Sequence, residues 1–257
     1  MFYIVGTPIG NLKDITFRAV ETLKSCDIIL CEDTRTSKRL LKTYDIKTPL
    51  LSFHTFNENE REEQVIKKLL ANKSVALISD AGMPAICDPG VKIIARCRKE
   101  NIPVTVIPGP SAITSALSLS GLYENRFQFV GYLEKKEGAL REQLFDMLTY
   151  KGLSVCYETP HRVLKTLKIL MKIAPHSNVL IAREMTKIFE ETLLDTPKKL
   201  FNHFEKKGVK GEMVLIVSGK EPSLELSPQE CLDFLENTFQ LSRKEALVIG
   251  SKWLKVP

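Results

Sequence analysis

The stretch Ser79–Gly90, SDAGMPAICDPG, is the most informative segment of the sequence. It follows SVALIS, an apolar segment typical of a buried strand, and it precedes VKIIARCRKEN, whose apolar residues recur at helical spacing. Strand-to-helix loops in α/β proteins usually need only about 2–6 residues. This loop is longer and contains two Gly, two Pro and two Asp. It therefore predicts a ligand-binding loop at the end of a buried strand.

Strand and helix patterns alternate on both sides of this loop. From FYIV through PVTVI and the helix-like PSAITSALSLSG, the order predicts an open, mostly parallel sheet with helices on both faces. The alternation starts again at RFQFVGYL and ends at EMVLIVSG. We predict an α/β fold of two α/β domains in series, residues 1–122 and 123–222, with an active-site cleft between them and a helical tail over 223–257.

Composition and the length of the apolar runs favour a globular protein over a membrane protein. The 257 residues are 44% hydrophobic and 26% charged, which is typical of a globular protein. The apolar runs are too short for a membrane helix, and the N-terminus begins with a strand pattern. We therefore expect no signal peptide, no membrane association and a cytoplasmic location. The net charge of +6 is compatible with a phosphate-rich partner but does not require one.

Cysteine and histidine spacing does not suggest a metal. The six cysteines form no C-x-x-C pair, and the four histidines are scattered along the chain. A zinc site would need a closer spacing of such residues. We expect free, mostly buried thiols and no metal site.

Four further loops carry unusual residues at predicted strand ends: VGTPIGN, CEDTRTS, IPGPSA and YETPHR. In open α/β sheets, ligands bind outside the carboxyl ends of the strands. Glycine permits close approach of backbone to ligand, and proline restricts the loop. Neither G-x-G-x-x-G nor GK[ST] is present in these loops, which disfavours a dinucleotide or nucleotide phosphate site. The pattern favours a small, partly neutral ligand that is held largely by backbone.

These loops, together with KGEMVLIV near the end of the chain, resemble a bacterial family of small-subunit ribosomal RNA methyltransferases in the tetrapyrrole methylase superfamily. The resemblance runs in order from about Phe2 to Gly219. It implies S-adenosylmethionine as cofactor, a homodimer, and 2′-O-methylation of a cytidine in the decoding region of small-subunit rRNA, with the assembled subunit as the expected substrate. Met83 and Cys87 depart from the family pattern, which more often has Thr and Ser there.

The resemblance also implies a set of cofactor-binding residues, most of which lie at strand ends. They are Gly6, Thr7, Pro8, Asp80, Ala81, Gly82, Met83, Ser111, Ala112, Tyr157, Glu184, Met185 and Thr186. Ser111 also stands where a helix N-cap is expected, after a Pro-Gly-Pro turn.

Transfer of a methyl group to a ribose hydroxyl requires alignment of the reacting atoms and benefits from a general base. The candidates for the base are Glu32, Asp33, Asp80, Glu158 and His161. We predict Glu158 or His161 as the catalytic residue.

Basic and aromatic residues suggest contacts with RNA. The residues predicted to bind substrate are Glu32, Asp33, Arg35 and Arg162, and Lys38 and Arg39 are further candidates for binding phosphates. The aromatic residues of SFHTFNE, namely Phe53, His54 and Phe56, either stack on an unpaired base or belong to the core.

Two other classes of function stay open at this point. One is a methyltransferase of the same superfamily that acts on a tetrapyrrole, such as a cobalamin or sirohaem precursor, or a diphthine-type protein methyltransferase. Tetrapyrrole methylases more typically carry G-x-G-P-G-D and G-D-P, where this chain has GTPIGN and DAGMP. The other is a non-catalytic module that binds a nucleoside or RNA.

Overall fold

The computed structural model describes residues 1–219, 228–239 and 241–254. It divides into two compact units, the first of Met1–Ser115 with Met185–Ile188 and the second of Ala116–Glu184 with Phe189–Pro257. The domain boundary that the sequence predicts between residues 122 and 123 stays a prediction. The predicted boundary between residues 222 and 223, where the tail was expected to begin, lies outside the described residues.

The first unit contains a five-stranded sheet in which every strand is parallel to its neighbours. Its strands are β1 (Phe2–Val5), β2 (Ile28–Cys31), β3 (Leu50–Ser52), β4 (Val75–Leu77) and β5 (Val104–Ile107). The helices that connect and follow them are α1 (Phe17–Ser25), α2 (Thr34–Thr43), α3 (Glu58–Leu70), α4 (Val91–Lys99) and α5 (Ala112–Leu119). The strand order β3-β2-β4-β1-β5 brings the ends of β2, β4 and β1 side by side.

Alternating side chains of these strands pack on the two faces of the sheet. Leu30 and Leu77 lie in a cluster with buried residues of α3 and α4. Ile29 and Ala76, their neighbours in sequence, lie in a second cluster with residues of α1 and α2. This period of two with burial on both faces explains why the strand sequences are continuously apolar.

Gly90 ends the long loop that follows β4. Its φ of 132° is strained for a residue with a side chain, and a Cβ there would lie 2.5 Å from Cδ2 of Leu77. Its N–H donates a hydrogen bond to Oε1 of the buried Glu58 at 3.1 Å. Tight packing and this bond therefore fix the point at which α4 begins.

The second unit contains a mixed sheet in the order β6-β7-β10-β8-β9. The strands are β6 (Phe127–Tyr132), β7 (Leu153–Glu158), β8 (Val179–Arg183), β9 (Glu191–Asp195) and β10 (Met213–Ser218). Only β6 and β7 are parallel, and the other three pairs are antiparallel. The helices are α6 (Glu137–Thr149), α7 (Val163–Ile173), α8 (Pro197–Lys207), α9 (Pro228–Phe239) and α10 (Arg243–Leu254). The predicted α/β fold class is confirmed.

Apolar side chains of α6, α7 and α8 pack on one face of this second sheet. Residues of α9 and α10 form a separate cluster around Phe145 of α6. The cysteines are free thiols, and all except Cys87 are buried. In the part of the chain that the structure describes, no helix is long and apolar enough to cross a membrane.

A charged network joins β8, β9 and α8. Oε2 of Glu191 accepts from Nε of Arg183 at 2.6 Å, and Oε1 accepts from Nζ of Lys207 at 2.7 Å. Nε2 of His203 lies 3.1 Å from the same Oε1. Burial raises the pKa of Glu191, but the hydrogen bonds from Lys207 and Arg183 outweigh it and lower the pKa to about 2.

We expect Glu191→Gln to destabilise the protein at neutral pH by about 2–3 kcal/mol, because the lowered pKa reflects stabilisation of the charged carboxylate. This contribution is fully present above the pKa of an unfolded glutamate and is lost as the pH falls toward about 2. Urea unfolding at several pH values would measure it, with Glu205→Gln on the exposed part of α8 as control. A pH-independent difference between Glu191→Gln and the parent would contradict this account.

Candidate active site at the carboxyl edge of the parallel sheet

The loops after β1 and β4 are joined to each other. The N–H of Thr7 donates to the carbonyl of Gly82 at 2.9 Å, and the N–H of Gly82 donates back to Thr7 at 3.1 Å. The hydroxyl of Thr7 also donates to the carbonyl of Ser79 at 3.1 Å. Thr7 and Ser79 are buried. These bonds hold the long loop against the end of β1, so its backbone is presented in a fixed arrangement.

The ends of β1 and β5 approach each other through two glycines. A Cβ on Gly6 would lie 2.8 Å from Cα of Gly109, and a Cβ on Gly109 would lie 2.9 Å from Cα of Gly6. Any larger residue at either position would separate the two backbones. Just beyond Gly109, the carbonyl of Ser111 accepts the N–H of Ser115 at 3.0 Å, and α5 begins at Ala112. Ser111 thus occupies the predicted N-cap position.

Some backbone donors of the long loop are not used internally. Within residues 1–219, 228–239 and 241–254, the N–H groups of Ala81 and Met83 have no acceptor. Ala81 is exposed and Met83 is partly buried. Such donors require water or a ligand. The sequence prediction of a loop that binds through its backbone fits this arrangement.

Three carboxylates lie at the ends of β2 and β4, which are neighbours in the sheet. The N–H of Asp33 donates to Oδ1 of Asp80 at 3.2 Å. Asp33 also caps α2 by accepting the N–H of Arg35 at 2.8 Å, and its Oδ2 accepts from Nη2 of Arg35 at 2.7 Å. Among the described residues, the carboxylate of Glu32 has no hydrogen bond or ion pair. Glu32 is therefore the carboxylate of this group that is free to act on a ligand.

The electrostatic surroundings of the three carboxylates differ. Burial of Glu32, followed by the negative charge of Asp80, raises the pKa of its carboxyl, against the opposing effect of His54. Burial likewise raises the pKa of Asp80. Hydrogen bonds from Arg35 instead lower the pKa of Asp33 to about 2. The raised pKa makes Glu32 a stronger base than an ordinary glutamate. The lowered pKa makes Asp33 a weaker base than an ordinary aspartate.

Glu158 has a different environment at the end of β7 in the second unit. It is completely buried. Oε1 accepts the N–H of Thr159 at 2.8 Å, and Oε2 accepts the hydroxyl of Thr166 at 2.6 Å. Nε of Arg162 lies 3.7 Å from Oε1. These contacts do not support the predicted role of Glu158 as the base, since both oxygens hold the start of α7 in place.

Arg162 is also engaged inside the second unit. Its Nη2 donates to the carbonyl oxygens of Leu133 and Glu134, each at 2.6 Å. The predicted contact of Arg162 with substrate therefore competes with a structural role. Arg35 differs because its side chain is 89% exposed, although it is paired with Asp33. His161, the other predicted base, is exposed.

The remaining predicted cofactor residues lie in two further places. The ring of Tyr157 contacts Phe129 and Tyr132, with centroids 5.1 and 5.3 Å apart. Glu184 and Thr186 have φ of 51° and 65°, in the left-handed region that non-glycine residues rarely occupy. Such strain persists where surrounding contacts hold it and is frequent at functional sites.

The segment Met185–Ile188 belongs to the first unit. The N–H of Asn11 donates to Oγ1 of Thr186 at 2.9 Å. A Cβ on Gly10 would lie 2.7 Å from the same oxygen. The loop after β1 therefore contacts both the β4 loop, through Thr7, and the segment around Thr186. The predicted cofactor residues of the first unit are brought together at one edge.

Sequence reasoning missed several residues that shape this edge. Ser79, Gly10 and Gly109 were within the quoted motifs but were not assigned a role. Gly109 had a signal, because a glycine between two prolines is typical of a tight approach of backbone. The role of Ser79 depends on a carbonyl that accepts a bond from a residue 72 positions earlier, and no local pattern reveals it.

A sequence model of the family described as Tetrapyrrole (Corrin/Porphyrin) Methylases matches residues 1–200. Together with the fold and the strand-end loops, this match shows that the chain belongs to the tetrapyrrole methylase family. Within this family, the chain is similar to proteins that share one particular name. A protein named Ribosomal RNA small subunit methyltransferase I, from Thermotoga maritima, is 45% identical over 219 residues, which cover 85% of this chain and 98% of that protein.

Proteins of the same name from other bacteria are similar over a comparable length. The one from Halalkalibacterium halodurans is 42% identical, and the match covers 89% of this chain and 78% of that protein. The one from Haemophilus influenzae is 40% identical over 256 residues, which cover 96% of this chain and 90% of that protein.

Solved structures show the same fold at low sequence identity. The cobalamin biosynthetic enzyme cobalt precorrin-4 methyltransferase has a TM-score of 0.64 and 16% identity, and the match covers 84% of this chain and 94% of that one. Uroporphyrin-III-C-methyltransferase from Thermus thermophilus has a TM-score of 0.59 and 20% identity, with 86% and 94% covered.

Proposed function

We propose that this protein methylates the 2′-hydroxyl of a cytidine in the decoding region of small-subunit rRNA, with S-adenosylmethionine as methyl donor. The observation that carries the proposal is the 45% identity to a relative named Ribosomal RNA small subunit methyltransferase I over 98% of that relative's length. We further propose that it acts in the cytoplasm as a homodimer and that its substrate is the assembled subunit.

The residues at the edge of the first sheet fit S-adenosylmethionine as cofactor. The edge is lined by small residues and offers unused backbone donors at Ala81 and Met83, which suit the polar groups of a small zwitterionic molecule. The residues that would hold it are Gly6, Thr7, Pro8, Asp80, Ala81, Gly82, Met83, Ser111, Ala112, Met185 and Thr186, with Tyr157 and Glu184 as further proposed contacts. When bound, the cofactor supplies an electrophilic methyl group on a sulfonium sulfur.

We expect Gly6→Ala to weaken S-adenosylmethionine binding at least about tenfold, because the added Cβ would force the backbones at Gly6 and Gly109 apart. Isothermal titration calorimetry would measure the dissociation constant. Gly138→Ala is the matched control, since a Cβ at that position meets nothing within 4 Å. Equal affinity of the Gly6→Ala variant and the parent would show that this close approach does not shape the cofactor site.

Glu32 is the proposed general base. Its carboxylate lies at the end of β2, has no partner among the described residues, and has a pKa raised by burial and by Asp80. In the proposed reaction Glu32 would accept the proton of the ribose hydroxyl, whose oxygen bonds the methyl carbon. The sulfonium of the bound cofactor would supply that methyl group by cleavage of its sulfur–methyl bond and would leave as a neutral thioether. Asp33 instead holds the start of α2 and Arg35. We favour Glu32 over Glu158, whose two carboxylate oxygens accept from Thr159 and Thr166, and the role of His161 as the base stays a prediction.

Exposed basic residues of α2 support contact with RNA phosphates. Arg35, Lys38 and Arg39 are all exposed on the helix that follows Glu32 and Asp33. Because Ser37, Leu40 and Leu41 face the core, the basic side chains occupy the outward part of the helix. Phosphate contacts position an RNA without reading its sequence.

The test is transfer of a labelled methyl group from S-adenosylmethionine to small ribosomal subunits from cells that lack this gene, followed by nucleoside mass analysis. Label in a single 2′-O-methylcytidine is the expected result. Label in another nucleotide would show that a different position is methylated. Label in free rRNA only would show that free rRNA, and not the assembled subunit, is the substrate. Absence of label in subunits and rRNA would overturn the proposal and direct the test to tetrapyrrole and protein substrates.

A further inference from the structure

The loop between β3 and α3, residues 53–57, presents one phenylalanine to the core and another to solvent. Phe53 is 1% exposed and packs in the cluster under α3 and α4. Phe56 is 97% exposed. A fully exposed phenylalanine contributes nothing to the core, so its stability role is small. If the loop holds Phe56 in place, the exposure of this ring therefore requires an explanation other than packing in the core.

The loop does hold Phe56 in place. The N–H of His54 donates to Oδ1 of Asn57 at 2.8 Å, and Nδ2 of Asn57 donates to the carbonyl of Ser52 at 3.2 Å. The N–H groups of Asn57 and Glu58 both donate to the carbonyl of His54 at 2.9 Å. Glu58 is itself tied to Gly90. Hydrogen bonds thus hold the backbone on both sides of Phe56, and the ring projects outward from this turn.

His54 supports the ring of Phe56 from one side. The two ring centroids are 6.0 Å apart with an interplanar angle of 66°, an edge-to-face arrangement. Oδ1 of Asn57 accepts the backbone N–H of His54. The amide nitrogen of Asn57 therefore faces Nε2 of the His54 ring, at 3.2 Å. The side chain of Asn57 therefore orients the His54 ring, and the edge contact leaves the outer face of Phe56 open.

This aromatic loop lies at the same edge of the sheet as the proposed base. β3 is the neighbour of β2 in the sheet, and His54 affects the pKa of Glu32. The exposed Arg35, Lys38 and Arg39 follow β2 on α2. An aromatic face, a free carboxylate and several cations thus occur together. They match the three parts of a nucleotide: the base, the ribose hydroxyl and the phosphate.

We propose that Phe56 is a stacking platform for an unpaired nucleobase of the RNA substrate, either the target base or its direct neighbour. This inference rests on the proposed function and adds a recognition residue to it. Stacking on an aromatic side chain is tolerant of base identity, so Phe56 contributes affinity rather than sequence readout. The competing explanation is that the exposed ring of Phe56 belongs to an interface with another protein chain. The experiment distinguishes an interface from base stacking.

The experiment measures methyl transfer from labelled S-adenosylmethionine to small subunits that lack the modification, with four variants. Phe56→Ala raises KM for subunits at least about tenfold and leaves KM for the cofactor unchanged. Phe56→Leu has the same defect, because it keeps apolar character but not the flat face. Phe56→Trp stays within about threefold of the parent. The control is Tyr123→Ala, a change at an equally exposed aromatic of the second unit.

A second readout does not depend on turnover. In a Phe56→Trp, Trp253→Phe background the introduced indole is the chain's single tryptophan. Its fluorescence is expected to be quenched by a single-stranded, cytidine-containing RNA decanucleotide, and not by the same RNA annealed to its complement. If the parent is active and the introduced indole is quenched neither by this RNA nor by small subunits that lack the modification, the stacking inference alone is overturned. Absence of methyl transfer by the parent would overturn the proposed function, and quenching would then still report RNA stacking.

Two further outcomes would overturn the inference. If Phe56→Leu matched the parent in KM for subunits, the contact would be apolar packing and not stacking. If Phe56→Ala changed the oligomeric state in sedimentation equilibrium, the ring would belong to an interface between protein chains.

Discussion

Replacement of Glu32 by Gln is expected to lower methyl transfer about 10²–10⁴-fold, the usual contribution of a general base. The amide keeps the size and the position of the side chain at the end of β2 but cannot accept a proton. Because Glu32 makes no hydrogen bond or ion pair in the described residues, its replacement removes little stability. Single-turnover methyl transfer to small subunits would measure the loss, and calorimetry would show whether cofactor binding is retained.

The pH dependence provides an independent test of Glu32. A base must be ionised, so the parent loses activity as the pH falls through the pKa of Glu32, which is raised above the ordinary value. Part of that rise comes from Asp80, and Asp80→Asn is therefore expected to move the acidic limb of the profile to lower pH. Glu21→Gln, at an exposed position of α1, is the control. Turnover of Glu32→Gln within about threefold of the parent would exclude Glu32 as the base.

Replacement of Glu158 by Ala is expected to destabilise the protein by about 3 kcal/mol, because it leaves the buried hydroxyl of Thr166 and two partly buried donors without their acceptor. The N–H of Thr159 and the hydroxyl of the buried Thr166 lose their acceptors, and Arg162 loses its nearest carboxylate. Urea unfolding followed by far-UV circular dichroism would measure the change in free energy of unfolding. A change below about 0.5 kcal/mol would contradict the structural role of Glu158.

Glu158→Gln distinguishes the structural role from the catalytic one that the sequence suggested. The amide oxygen of Gln can still accept from Thr159, and the amide nitrogen can donate to the hydroxyl of Thr166. We therefore expect about 1 kcal/mol of destabilisation and turnover close to that of the parent where the variant is folded. A folded Glu158→Gln variant with a hundredfold loss of turnover would restore Glu158 as the base.

The sequence alone determined the fold class, and it predicted the edge of the sheet at which we propose that the site lies. Continuous apolar strands such as SVALIS, alternating with amphipathic helices, predict a parallel sheet, and all strand pairs of the first unit are parallel. These patterns are local: side-chain period and the conformational limits of Gly and Pro act over a few residues. The same reasoning located the loops at Gly6, Gly82 and Gly109.

Only the tertiary structure decided what individual side chains in those loops do. Glu32 and Glu158 both end or directly follow a strand, in CED and YET, yet one is free and the other is completely buried. Phe53 and Phe56 stand three residues apart, and one is core while the other is exposed. The reason is that burial and hydrogen bonding of a side chain depend on how whole strands and helices pack, which the residues next to it in sequence do not determine. Thr166 of α7 donates to Glu158, whereas no described residue donates to the carboxylate of Glu32, whose pKa is affected by burial and by the nearby Asp80, His54 and Asp33.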